Sequence, residues 1–283
     1  MADEHGTGAG PAPPPQESLL TRFLDLAARE LGRPRNAGAT SPSAPAGSSG
    51  FDTITFEDWS EYTRVEQVES VAATSADDVV ELCNDAVKDS YKIRALGHAH
   101  NWSPLILQPG TAPDPNVRLI DTSMLVGATA KVVDGQLHAT FGTGTTLQAA
   151  TEFLEQQGNH AAGAAPGYGF LNMPTVGSLT LGGILAVGGH GTSVPFAAQQ
   201  EPDLMGCLSN MIVSFKAVTT DPDNPNSHEY AMREFQRTDA DAPAFLVHLG
   251  RAFITEVTLA ALPNYHLQLT NLFPNMDDVM AKP

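Results

Sequence analysis

The sequence predicts a globular fold of the α+β or α/β class. Helix-like and strand-like segments are mixed between residues 51 and 262. No internal repeat is present, so a solenoid is not expected. The chain has 283 residues, of which 42% are hydrophobic, so it can bury a sizeable core in one large or two small domains.

Helices are predicted where apolar residues recur at helical spacing after a capping residue. Ser75 can cap a helix over Ala76–Lys88, with two acidic residues in its first turn. Thr145 is expected to cap a second helix over 145–157, which the following glycine ends. A short helix is expected over 243–249.

Strands are predicted in six segments between the helices and towards the end of the chain. They cover Lys92–Leu96, Val117–Asp121, Gln136–Gly142, Ile212–Thr219, His228–Arg237 and Ala252–Leu262. The fourth and fifth strands form a hairpin, because a turn rich in Pro, Asp and Asn joins them. A long glycine-rich loop is expected over Ala162–Pro195.

The first 50 residues are expected to form a tail. Residues 1–17 are acidic and proline-rich, which predicts disorder, and residues 33–50 resemble a linker. Between them, Ser18–Leu31 forms one amphipathic helix. The start lacks the pattern of a secretory signal, and no window reaches the roughly 18 apolar residues of a membrane span. We therefore expect a cytoplasmic protein without a membrane span.

Charge and cysteine content exclude several classes of function. The chain has 15 basic and 32 acidic residues, a formal net charge of -17, which disfavours binding to nucleic acids and to anionic lipids. Cys83 and Cys207 are the only cysteines, too few for a disulfide framework or a cysteine-rich zinc site.

Three glycine-rich segments are candidates for a binding site. The segment Gly142–Leu147 follows a strand and opens a helix, where a dinucleotide fingerprint belongs. Leu147 occupies the place of the third glycine, and no acidic residue follows at the distance a ribose contact requires. A strand–turn–helix junction explains this segment better.

The second candidate is the first loop, residues 94–105, which also follows a strand. Gly97 allows a sharp turn and a close approach to a ligand. Polar and histidine side chains follow, and the candidate binding residues are Arg94, Gly97, His98, Ala99, His100, Asn101 and Ser103. A plain surface turn, a His-x-His metal site and a glycosylation acceptor are the alternatives.

The third candidate is the second loop, residues 174–192. Dense glycines are expected to leave successive backbone N–H groups bare, forming a concave nest for a pyrophosphate. The alternative is a structural crossing between packed segments. The candidate binding residues are Pro174, Thr175, Val176, Gly177, Ser178, Thr180, Gly182, Gly183, Gly188, Gly189, His190 and Gly191.

Together, the two loops resemble the FAD domain of the vanillyl-alcohol oxidase/PCMH flavoprotein family. The Gly97-x-x-His100 spacing resembles the family element whose histidine commonly carries the flavin 8α-methyl group, and the second loop resembles the family's Val-Gly-Gly…His-Gly element. The stretch 180–195 looks closest to the bacterial type II, covalent-flavin cholesterol oxidases. The resemblance covers about residues 51–270.

This resemblance implies an α+β, PCMH-type FAD-binding domain of two α+β subdomains, about 51–125 and 126–270. Residues 271–283 would begin a substrate domain that is missing here. FAD would lie extended between the subdomains, with its pyrophosphate on N–H groups of both loops. His100 would carry the flavin as a single link, since neither cysteine matches that of doubly linked relatives. Phe253 and Ile254 would complete the cofactor site.

The implied activity is oxidation of an alcohol, closest to a sterol, by FAD, with dioxygen giving hydrogen peroxide. The catalytic base is unknown, because the relatives place it in the missing part. A partner chain supplying a substrate domain is one alternative, in which this chain is a non-catalytic flavin-binding fragment. A metal-binding protein using His98, His100 and His190 is the other.

Overall fold

The structure is a computed structural model, and its described residues form an α+β fold, as predicted. These residues are 50–109, 114–158, 167–192, 206–220 and 229–265. The tail predicted for the first 50 residues lies outside them except for Gly50, and so does the segment 271–283. The boundary between subdomains near residue 125 stays a prediction.

The first sheet has four strands in the order β1-β2-β4-β3. They are β1 Asp52–Glu57, β2 Arg64–Ala72, β3 Lys92–Leu96 and β4 Val117–Asp121. β1 pairs antiparallel with β2, whereas β4 pairs in parallel with both β2 and β3. Because β3 and β4 are parallel, the segments that follow them leave the sheet at the same edge.

Helix α1, Ala76–Lys88, connects β2 to β3, and its predicted cap is confirmed. The Ser75 hydroxyl accepts from the Asp78 N–H (3.1 Å), and the Asp78 carboxylate accepts from the N–H groups of Thr74 (2.8 Å) and Ser75 (3.0 Å). Burial alone would raise the pKa of Asp78, but these hydrogen bonds outweigh it and the pKa is lowered. The cap fixes where the crossover helix begins.

The second sheet contains β5 Ala128–Val133, β6 Gln136–Gly142, β8 Ile212–Thr220, β9 Tyr230–Gln236 and β10 Phe253–Pro263. Their order is β5-β6-β10-β8-β9, every pair is antiparallel, and β7 Tyr168–Gly169 pairs with the end of β10. The predicted hairpin is confirmed as β8 and β9. Its turn lies outside the described residues.

Two helices differ from the prediction. Helix α2 is Leu147–Glu155 and is capped by Thr146, whose hydroxyl accepts from the Ala149 N–H (3.2 Å). The predicted cap, Thr145, instead donates its hydroxyl to the Gly127 carbonyl (3.3 Å). The helix predicted at 243–249 is a 3₁₀ turn over Ala242–Phe245, where proline follows its first residue.

The predicted loop over 162–195 contains a third helix, α3 Leu181–Ala186. Thr180 caps it and accepts from the Gly183 N–H (3.4 Å). Leu181, Ile184 and Leu185 are buried in the core between the second sheet and helices α2 and α3. Burial of this apolar side outweighs the low helix propensity of two glycines.

A separate apolar cluster joins the two sheets. Leu82 of α1, Ile120 of β4 and Leu125, just after β4, pack with Val218 of β8. Through this cluster, the edge of the first sheet at which β3 and β4 end packs against the second sheet.

Candidate cofactor-binding site

The two loops singled out in the sequence meet at that edge. The His98 Nδ1–H donates to the carbonyl oxygen of Ser178 (2.6 Å), and the Ser178 hydroxyl shares a hydrogen bond with Nε2 of His100 (3.3 Å). Gly97 faces Thr180 so closely that a Cβ on Gly97 would lie 2.7 Å from the Thr180 Oγ1. The structure thus brings together residues that are about 80 positions apart in the chain.

The segment Gly142–Leu147 is the scaffold beneath both loops. The N–H of Leu147 donates to the carbonyl of Leu179 (2.8 Å), and the N–H of Gly182 donates to the carbonyl of Thr143 (2.9 Å). On its other side, a Cβ on Gly144 would lie 2.5 Å from the Thr122 carbonyl oxygen, just after β4. The segment is therefore a close-packed strand–turn–helix junction, the interpretation favoured from its sequence.

The first loop has the backbone of an anion-binding nest. Ala99 has a positive φ of 52°, which rotates successive N–H groups towards one side of the chain. Among the described residues, no protein acceptor receives the N–H groups of Gly97, His98 or Ala99. Three neighbouring donors without a protein acceptor suit the oxygens of a pyrophosphate, so the loop fits a dinucleotide.

The second loop differs from the expectation of bare N–H groups. Gly188 donates to the Leu185 carbonyl (3.3 Å), Gly189 to the Ile184 carbonyl (2.8 Å) and Gly191 to the Asn172 Oδ1 (2.9 Å). The nest predicted at these glycines is wrong, because the loop folds back on α3 and on the segment before it.

Close packing explains most glycines of the second loop. A Cβ on Gly189 would lie 2.7 Å from Cγ2 of Ile184, and one on Gly191 would lie 2.6 Å from the Met173 carbonyl oxygen. Gly183 is different, because it is exposed and its Cβ would meet only the Thr180 Oγ1, at 3.3 Å. Packing within the described protein therefore does not account for a glycine at 183.

His100 lies in an aromatic group on the surface of the first loop. Its ring stacks on Trp59, with ring centroids 5.7 Å apart and an interplanar angle of 19°. Trp102 lies 5.0 Å from Trp59 and is 66% exposed. Because Trp59 belongs to the turn after β1, no local sequence pattern indicated this contact.

Each of the two loops has an unsatisfied amide atom in it or beside it. Four buried side-chain polar atoms have no hydrogen-bond partner among the described residues, and two of them are Oδ1 of Asn101 and Nδ2 of Asn172. Such an atom costs about 1–3 kcal/mol unless a bound molecule satisfies it. Asn172 is 2% exposed and was missed in the sequence, since it precedes the second loop.

The remaining predicted residues are more dispersed. Arg94 lies on β3 and donates to the Ile93 carbonyl (3.4 Å), whereas the His190 Nδ1–H donates to the Gly191 carbonyl (2.8 Å). Thr175, Val176 and Ser103 are exposed, and Pro174 lies beside Gly189. Phe253 and Ile254 begin β10, where the Ile254 carbonyl accepts from the Thr143 hydroxyl (2.6 Å). Among the described residues, these contacts do not connect the side chain of Arg94 or of His190 to the place where His98 meets Ser178.

Neither a metal-binding cluster nor a membrane-spanning helix is found within the described ranges. No group of three or more His, Cys, Asp or Glu side chains there is arranged to hold a metal ion. No helix among the described residues has the length and apolarity needed to cross a membrane.

Comparison with known proteins identifies the fold. No family model and no curated protein matches the chain. A solvent-stable cholesterol oxidase matches with 34% identity and a TM-score of 0.67, over 79% of this chain and 40% of that one. Cholesterol oxidase from B. sterolicum matches with 30% identity and a TM-score of 0.67, over 80% and 40%.

A more distant match, alkyldihydroxyacetonephosphate synthase, has 20% identity and a TM-score of 0.53 over 71% of this chain and 32% of that one, and it supports the fold alone. The chain spans about two fifths of the length of the two cholesterol oxidases. Both loops belong to the described α+β fold. The chain carries a PCMH-type FAD-binding domain close to that of the cholesterol oxidases, and FAD is its cofactor.

Proposed function

We propose that this chain is the FAD-binding part of an FAD-dependent alcohol oxidase. Its substrate is an alcohol of the sterol type, its electron acceptor is dioxygen, and its product is hydrogen peroxide. The similarity to two cholesterol oxidases at 30% identity or more supports this assignment. The observation that carries it is the junction of the two loops, where His98 bonds to Ser178 and Gly97 packs against Thr180.

In this proposal the first loop binds the pyrophosphate. The N–H groups of Gly97, His98 and Ala99 donate to its oxygens, so little positive charge is needed in a chain with a net charge of -17. The exposed face of α3 at Gly183 lies against the cofactor, and Asn172 Nδ2 supplies a buried donor. When bound, the flavin accepts the hydride, and the protein contributes orientation and electrostatics.

His100 is the proposed covalent attachment point. The link would join an imidazole nitrogen of His100 to the 8α-carbon of the flavin in place of one N–H and one C–H bond, and the proposed oxidant, dioxygen, would take up the two hydrogens as hydrogen peroxide. Three features support His100: the Gly97-x-x-His100 spacing, its hydrogen bond to Ser178 and its stacking on Trp59.

The group that accepts the hydroxyl proton of the alcohol is proposed to lie outside this chain's described residues. Efficient turnover needs such a base and a pocket that holds the alcohol carbon roughly 3–3.5 Å from the flavin. A substrate domain, on the same polypeptide or on a partner chain, would supply both.

Covalent attachment is tested by precipitating the purified chain with acid and measuring flavin in the pellet, because only covalent flavin stays there. We expect His100→Ala to abolish this flavin and to leave dissociable FAD. His190→Ala is the matched control, since that histidine is exposed and, among the described residues, its side chain bonds to its neighbour Gly191. His98→Ala should also keep the link, with weaker contact to Ser178. Equal pellet flavin in wild type and His100→Ala would refute the attachment.

The activity is tested by hydrogen peroxide release with cholesterol as the substrate. The 283-residue chain is compared with a longer form that also carries a substrate domain. We expect efficient steady-state release only from the longer form. Comparable rates would show that the described loops contain the catalytic base, and His98 and His190 would then be the first candidates.

A further inference from the structure

We propose that Trp59 is a positioning residue that orients the His100 ring for attachment to the flavin. The inference rests on the proposed covalent link at His100 and assigns a role to a residue outside both loops. Trp59 touches the imidazole through ring stacking at 5.7 Å and 19°.

Trp59 is held by a tight turn between β1 and β2. The Asp58 side chain, 1% exposed, accepts from the Ser60 hydroxyl (2.8 Å) and from the N–H groups of Tyr62 (3.1 Å) and Thr63 (3.2 Å). Glu61 completes the turn with a positive φ of 60°. Because three donors converge on one buried carboxylate, the residue next to it has a well-defined position.

The same turn is bonded to the backbone of the first loop. The N–H of Trp59 donates to the carbonyl of Ala99 (2.8 Å), directly before His100. Trp102 covers the indole at 5.0 Å with an angle of 40°. The loop and the indole are therefore joined by a backbone hydrogen bond as well as by ring contacts, and both help to set the stacking distance.

Two different contacts then restrict the imidazole. Stacking on Trp59 fixes the plane of the ring, whereas the hydrogen bond between Nε2 and the Ser178 hydroxyl (3.3 Å) limits rotation within that plane. Bond formation requires the imidazole nitrogen to approach the flavin 8α-carbon in one geometry, and restricting the ring beforehand raises the fraction of productive approaches. Without the Trp59 indole, the stacking contact would be lost, and of these two contacts the imidazole would keep the hydrogen bond to Ser178.

The test follows covalent attachment over time. The full chain is produced in a riboflavin-starved host, purified without flavin and mixed with FAD, and pellet flavin after acid precipitation is measured at intervals. We expect Trp59→Leu to slow attachment about three- to tenfold. Trp59→Phe, which keeps a flat ring, should restore most of the rate. Tyr62→Leu is the matched control, because Tyr62 lies on the same turn and is 65% exposed.

Bound FAD before attachment and melting temperature are measured in every variant. Slow attachment in Trp59→Leu at unchanged FAD occupancy, with rescue by Trp59→Phe, supports positioning, because a general loss of folding would lower occupancy as well. If Trp59→Leu does not fold, Trp59→Met provides the same comparison. A wild-type rate in the leucine or methionine variant overturns the role of Trp59. Absence of pellet flavin in the wild-type chain instead refutes the link at His100, and this inference with it.

Discussion

The contact between Gly97 and Thr180 can be tested by adding one methyl group. Gly97→Ala would place a Cβ 2.7 Å from the Thr180 Oγ1, closer than real Cβ contacts. Thr180 is 5% exposed, and its hydroxyl caps α3 by accepting from the Gly183 N–H. The methyl group must therefore push the loops apart or rotate the threonine out of its capping position.

Each response has a known cost. Rotating Thr180 removes a helix cap, which costs about 1 kcal/mol, and separating the loops is overpacking, which costs about 1–3 kcal/mol. We therefore expect Gly97→Ala to lower the free energy of unfolding by about 1–3 kcal/mol. Thr180→Ala alone should cost about 1 kcal/mol through the lost cap. In the double variant the added methyl group no longer clashes, because the next atom, Thr180 Cβ, is 3.8 Å away.

The assay is a double-mutant cycle in urea, with FAD affinity measured by titration in parallel. The double variant should be about as stable as Thr180→Ala alone, so the two effects should fall short of additivity by about 1 kcal/mol or more. Gly97→Ala should also weaken FAD binding, and the second substitution should recover part of the loss. Strict additivity of the two free energies would refute the close contact between the loops.

Three other predictions concern single positions. Gly183→Ala should keep or raise stability, because alanine favours a helix by about 1 kcal/mol over glycine, but it should weaken FAD binding in a titration. Gly191→Ala should instead lower the melting temperature, because its Cβ would lie 2.6 Å from the Met173 carbonyl oxygen. Unchanged FAD affinity in Gly183→Ala would show that FAD does not contact α3. Burial lowers the pKa of His248 from 6.5 to about 4. Between pH 6.5 and about 4 the unfolded chain binds a proton at His248 that the folded chain does not bind, so lowering the pH through this range removes about 3 kcal/mol of stability. Urea unfolding of His248→Gln should show a smaller loss over the same range, and an equal loss would refute this assignment. Asp58→Ala should cost about 1–3 kcal/mol in urea unfolding by leaving the donors of its turn unpaired, and unchanged stability would contradict that.

The sequence predicted most elements whose signals are local. The Ser75 cap, the helix it begins and strands β3, β4 and β6 follow from neighbouring residues, and the structure confirms them. The β1–β2 hairpin was missed because its apolar alternation is broken: Ile54 pairs with Val68 and Phe56 with Val65, so β2 has one extra residue between the two pairs. Gln67, with a positive φ of 57°, is part of this bulge.

Within the candidate site, only residues that belong to local sequence motifs were predicted. Both loops were found from their glycines and histidines, and their resemblance to a flavoprotein family implied that they meet. Trp59 and Asn172 were missed, because their relation to the site depends on contacts that no spacing in the sequence encodes. The glycines of the second loop were assigned to bare N–H groups, whereas packing against Ile184 and Met173 explains Gly189 and Gly191. Glycine content alone cannot separate these two causes.

The internal hydrogen bonds of the second loop affect the energetics of cofactor loading. Gly188, Gly189 and Gly191 satisfy their N–H groups within the protein, so this wall of the proposed site would have its shape before any dinucleotide arrives. Binding then loses little conformational entropy on that side, and more of the interaction energy is expressed as affinity. In the proposed site, the first loop has three N–H groups without an acceptor among the described residues, and it would gain these hydrogen bonds by donating to the cofactor. In the proposed site, the second loop is thus preorganised, whereas the first loop completes its hydrogen bonds when the ligand binds.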